Sequence, residues 1–161
     1  MKNFVFLSVV FFFFASCTNV YFVNSQPEGL EPLTEIPENL QGIYAFTDSI
    51  IVTSNTIGED TLGKSLIVKK RGNFYYLNYF EDSVYSLTVV KIVKCLSFED
   101  FEVFHPKITD DNKEIFNVVE VKSKTYGSVE SKESIVDNVS VVQLSEIFSN
   151  GGGEGKLIRI K

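Results

Sequence analysis

The side chains that could do chemistry are few. The chain has one histidine, His105, followed by Pro106. A single histidine rules out His-x-x-x-His metal sites and two-histidine ligand sets. A Ser-His-Asp arrangement needs a base held by a carboxylate beside a nucleophile, and the sequence around His105 offers neither. It reads as a loop residue at a strand end. The two cysteines are Cys17 and Cys95. Cys95 ends the apolar stretch Val89-Val90-Lys91-Ile92-Val93-Lys94-Cys95 and reads as a small apolar residue. Only Lys91 and Lys94 are near enough in sequence to favour a thiolate. Asp110-Asp111-Asn112-Lys113-Glu114 could offer oxygen ligands. A central lysine and the lack of glycine make it a polar turn rather than a calcium loop. Gly155-Lys156 closes the run Gly151-Gly152-Gly153-Glu154-Gly155. A phosphate loop also needs glycine at position 150 and Ser or Thr at 157. Those positions hold Asn150 and Leu157, so the run reads as a flexible connector. The expectation is a non-enzymatic protein with no metal and no cofactor.

The densest aromatic cluster after residue 17 is Phe74-Tyr75-Tyr76-Leu77-Asn78-Tyr79-Phe80. Alternation puts Phe74, Tyr76, Asn78 and Phe80 on one face of a strand, and Tyr75, Leu77 and Tyr79 on the other. Tyr75, Tyr76 and Tyr79 are the candidate partner-facing aromatics, able to stack on a sugar or a protein. The competing reading is ordinary sheet core with cross-strand pairing.

The elements that hold these residues are mostly strands. β-branched and aromatic runs predict strands near 42–47, 49–54, 65–70, 74–80, 84–94, 100–105, 115–122 and 156–160. Arg71-Gly72-Asn73 predicts the turn of a hairpin between Lys70 and Phe74. Residues 97–104 fit a strand or a helix start, with aromatic and β-branched content favouring the strand. Ser140-Val141-Val142-Gln143 has the capping-box form. Val141, Leu144, Ile147 and Phe148 then share one face, and Asn150-Gly151 stops the turn, which predicts a helix over 141–149. The expected fold is mainly β: an antiparallel meander forming a bent sheet, sandwich or partly open barrel, with one short C-terminal helix.

The N-terminus sets where such a domain would sit. Lys2 is followed by an apolar run, Phe4 to Phe14, broken only by Ser8, and then by Ala15-Ser16-Cys17. The run is shorter than the roughly 20 residues of a spanning helix and fits the core of a signal peptide. Phe14-Ala15-Ser16-Cys17 resembles the lipobox of bacterial lipoproteins, with phenylalanine where that family usually has leucine. The resemblance implies cleavage before Cys17 and acylation of its sulfur, with palmitate-type chains as the membrane anchor. Thr18, rather than aspartate, after the cysteine implies the outer membrane. The periplasmic face is the expected side.

The expected organisation is a signal peptide over 1–16, a lipidated N-terminus and proline-containing tether over 17–39, and one β-rich domain over 40–161. Three of the four prolines, Pro27, Pro32 and Pro37, fall in the tether, where they favour extended chain. Cleavage takes Lys2 away and leaves 14 basic against 21 acidic residues, net −7. That balance argues against nucleic acid as a partner. The expected partners are the membrane, through lipid on Cys17, and another envelope protein met by a sheet edge or the tyrosine face. The alternative is a carrier of a small apolar ligand. Gly42-Ile43-Tyr44 resembles the Gly-x-Trp of the first lipocalin strand, with tyrosine for tryptophan. That resemblance implies Arg159 lying over the Tyr44 ring.

Overall fold

The computed structural model describes residues 18–45, 49–95, 98–108, 112–126, 129–149 and 153–160. The leader, Cys17 and positions 109–111 of the expected polar turn lie outside the described residues, as does the side chain of Cys95. In chain order the strands are β1 (Thr18–Phe22), β2 (Gly42–Ala45), β3 (Ser49–Val52), β4 (Thr56–Ile57), β5 (Asp60–Thr61), β6 (Leu66–Arg71), β7 (Phe74–Glu81) and β8 (Val84–Cys95). They continue with β9 (Phe98–His105), β10 (Val118–Tyr126), β11 (Val129–Val136) and β12 (Gly153–Arg159); helix α1 (Val141–Ser149) precedes β12.

The aromatic hairpin forms as expected. β6 and β7 pair from Arg71↔Phe74 to Leu66↔Tyr79, and Gly72 supplies the positive φ of 60° that the turn requires. The next strand, β8, is the spine of the sheet. One of its edges carries β7, from Glu81↔Val84 to Phe74↔Lys91. Its other edge is shared: β1 pairs at Tyr85 and Ser86, and β9 pairs from Val89 to Cys95. The sheet therefore forks. One branch continues β1–β11–β10; the other continues β9–β12–β2–β3–β4–β5.

The second branch curls back towards β6. Leu62, just past β5, bridges Leu66, and the Gly63 N–H donates to Leu66 O at 2.8 Å. These contacts join the curl to β6 without a ladder, so the sheet is bent but not closed into a barrel. The three expected architectures thus resolve to a bent sheet. All described ladders are antiparallel except β1 with β11, which run parallel from Thr18↔Lys132 to Phe22↔Val136.

The period-2 pattern of β7, β8 and β9 feeds two cores, one on each face. Inside the curl lie Tyr44, Val52, Leu66, Val68, Tyr75, Leu77, Val90, Ile92, Phe101 and Val103. On the outer face Tyr76, Leu87, Val89 and Phe104 pack with Val20, Phe22 and Val136 and with Leu144 and Phe148 of α1. A strand buried on both faces reads as a near-continuous apolar run, which is how β8 looks in sequence. Helix α1 spans the residues expected. Its capping box is formed: the Ser140 N–H donates to Gln143 Oε1 at 2.9 Å, and the Gln143 N–H donates to Ser140 Oγ at 3.3 Å. The Phe148 ring meets Phe104 at 5.4 Å.

Several expectations are corrected. The segment expected as a tether is packed into the body wherever it is described. Val20 and Phe22 alternate inward on β1, and Ile36 and Leu40 enter the inner core. Leu33 donates to Val68 O at 2.7 Å, and Pro32 bridges Lys69, so the segment covers the outer edge of β6. The prolines favour extended chain, and here the extended chain lies against a strand. β11 was not expected, and β10 begins at Val118 because residues 113–115 form a 3-10 turn. In the ambiguous stretch at 97–104, residues 98–104 belong to strand β9, and Ser97 lies outside the described residues. Part of the expected glycine connector is strand as well: Gly153 and Gly155 pair with His105 and Val103.

Candidate functional site

The curl leaves a cavity of about 270 Å³ between its walls. Tyr44, Ile50, Val52 and Ile57 line one side, and Leu77, Val90, Phe101 and Val103 line the other. Leu40 and Leu157 complete an almost wholly apolar surface. The register explains why these side chains converge. Alternate residues of β7, β8 and β9 point inward, so Tyr75–Val90–Val103 form one row across three strands. The neighbouring row runs Leu77–Thr88–His105, since Leu77 pairs with Thr88 and Val89 pairs with Phe104. Tyr79 begins the row beyond.

That arrangement collects the polar groups of the cavity at one end. His105 Nδ1 lies 3.3 Å from Thr88 Oγ1. His105 is exposed to solvent as a residue, yet partial desolvation, helped by the Lys107 charge, pushes its pKa below the usual histidine value. The Tyr79 hydroxyl makes no hydrogen bond among the described residues. Burial pushes its pKa well above the usual tyrosine range, and the negative charge of Asp60 adds to the effect. It stays a neutral donor at any physiological pH.

The three candidate tyrosines are thus separated. Tyr75 is 1% exposed in the inner core, its hydroxyl 3.5 Å from Asn39 Oδ1, with Lys70 Nζ 5.2 Å from its ring centre. Tyr76 is 2% exposed in the outer core, where burial raises its pKa despite the opposing charge of Arg71. Neither can face a partner. This corrects the expectation for both; Tyr79 faces the cavity instead. Thr88 was not singled out from sequence. The available signal was one polar residue in the inward-facing series Thr88, Val90, Ile92.

Tyr44 meets Phe101 edge-on at 5.4 Å, and its hydroxyl donates to Leu40 O at 2.8 Å. Arg159 is the register partner of Tyr44 across β12 and β2, and its guanidinium donates to Gln41 O. Among the described residues there is no group of three or more His, Cys, Asp or Glu able to hold a metal ion. No helix among them is long and apolar enough to cross a membrane. Comparison with protein families, characterised proteins and solved structures finds no match to this chain.

Proposed function

We propose that this chain is a lipid-anchored envelope protein whose curled sheet holds a small apolar molecule. The anchor is lipid on Cys17, and the outer membrane facing the periplasm is its place. The cavity is the observation that carries the binding reading. Bound water needs two to four polar partners. Here the walls are almost wholly apolar and the Tyr44 hydroxyl is already bonded to Leu40 O, so water along Ile50, Val52, Val90 and Phe101 is poorly held. An apolar molecule displaces such water favourably. The protein acts by holding its ligand, not by converting it.

A second reading, docking of another envelope protein, keeps one surface. β10 is an edge strand with Val119 and Val121 60% and 58% exposed. An extended peptide adding to that edge would cover them. The cavity is the better supported site because several strands build it.

The test is to purify the protein from its native membranes and extract it with organic solvent. Mass spectrometry should find one small apolar compound in stoichiometric amount. A clean extract, together with no binding of any added apolar probe, overturns the reading.

A further inference from the structure

The cavity is apolar except at one end, and that end is not symmetric. Thr88 and His105 sit within hydrogen-bond reach of each other at 3.3 Å. Tyr79 is different: it lines the cavity, and its hydroxyl has no hydrogen-bond partner among the described residues. No fully buried side-chain nitrogen or oxygen lacks a partner among those residues, so this hydroxyl is accessible rather than sealed in. A hydroxyl that a ligand covers needs a partner from that ligand. Here the missing partner has room to come from a ligand.

From this we infer that the ligand is an uncharged amphipathic molecule, with a short apolar body in the cavity and one carbonyl or ether oxygen accepting a hydrogen bond from the Tyr79 hydroxyl. The inference rests on the binding reading above and adds the chemistry of the head group. Charge selects the neutral form. The Asp60 carboxylate acts on the Tyr79 hydroxyl, so an anionic head placed there is repelled. A cationic head could only donate to the hydroxyl oxygen, which leaves the hydroxyl proton without an acceptor. Lys107 acts on the His105 side of the same end and repels the cation that Asp60 attracts, so the two charges favour a head group of neither sign.

The experiment uses the full chain in digitonin, a detergent too bulky for the space, and titrates three probes calorimetrically: octan-2-one, n-nonane and octanoate. Octan-2-one should bind about three- to tenfold tighter than n-nonane, the ratio one hydrogen bond provides. Tyr79→Phe should erase that ratio by weakening octan-2-one binding to the level of n-nonane. Octanoate should bind most weakly, and Asp60→Asn should strengthen it. Equal binding of ketone and hydrocarbon, unaffected by Tyr79→Phe, overturns the inference and leaves the apolar-carrier reading standing. Octanoate binding tighter than the ketone overturns the neutral head group. Failure of all three probes overturns both the inference and the reading beneath it.

Discussion

The Asn78 side chain grips the backbone of Gln26 at both of its polar groups. Oδ1 accepts from the Gln26 N–H at 2.5 Å, and Nδ2 donates to the Gln26 carbonyl at 2.8 Å. One side chain thus does what a neighbouring strand would do. The Gln26 side chain passes the connection on, accepting from the Val139 N–H at 2.8 Å just before α1. Lys69 holds the same segment from the other side, donating to Ser25 O at 2.8 Å and Pro27 O at 3.0 Å. Gln26 and Asn78 are fully buried, so neither can fall back on water. Asn78→Ala should therefore cost about 2–4 kcal/mol, the loss from leaving two buried backbone groups unpaired. Urea unfolding of the full chain measures it. A loss below about 1 kcal/mol would mean that the segment is not held by this pair.

The packing of β1 changes how an anchor at Cys17 would act. Thr18 already pairs with Lys132, and Lys132 with Ser123. Lipid on Cys17 would then have no spacer between it and the sheet. The β10–β11 hairpin runs on past this row to Tyr126↔Val129, three residues or about 10 Å further at the usual strand rise. The end of the hairpin should then rest at the headgroups. A spin label replacing Tyr126 should be quenched by lipid-soluble relaxation agents, and Cys17→Ser should abolish the effect and release the protein from the membrane fraction. An unquenched label on membrane-bound protein would mean that the body stands clear of the bilayer.

The difference between a spacer and a packed strand shows where the sequence was legible. Local signals read well. Gly72-Asn73 marked the β6–β7 turn, Ser140 and Gln143 marked the start of α1, and the β-branched content of 84–94 marked β8 as a strand. What could not be read was pairing across the chain. Val20 and Phe22 alternate as a half-buried strand should, but their partners on β11 lie more than a hundred residues away. β11 itself is Val-Glu-Ser-Lys-Glu-Ser-Ile-Val, too polar to read as a strand until β1 and β10 flank it. The cavity is the same case. Tyr79, Thr88 and His105 come from three strands, and only their register puts them at one end.

Val90 stands in the middle of the cavity wall, 4% exposed, paired with Val103 on one side and Tyr75 on the other. A larger side chain there points into open space rather than into packed neighbours. Val90→Phe should leave stability within about 1 kcal/mol of the parent, since overpacking penalties arise where no room exists. It should weaken binding of apolar probes at least about tenfold. A fluorescence displacement titration beside a urea melt separates the two effects. Unchanged binding with a filled cavity would place the ligand elsewhere.

The polar end of the cavity also makes a pH response. His105 stands opposite Thr88, with Lys107 two residues on and the Tyr79 hydroxyl on the same inner face. Desolvation first, and Lys107 second, hold its pKa below the ordinary 6.5. The sign follows from which state takes the proton first as pH falls. The unfolded chain binds it near 6.5; the folded chain binds it only at lower pH. Above 6.5 both states are neutral at this residue and its stabilising effect is complete. Stability then declines as pH drops from 6.5 towards the folded value, and is level in this respect below it. Protonation also sets a charge beside an apolar ligand, so retention should weaken over the same interval. Melting temperature and probe affinity, measured from about pH 7.5 to about pH 5, should both fall for the parent. The fall should be smaller for His105→Gln, which removes this titration and leaves the carboxylates to account for the remainder. Identical pH profiles for parent and variant would show that His105 does not sense the cavity.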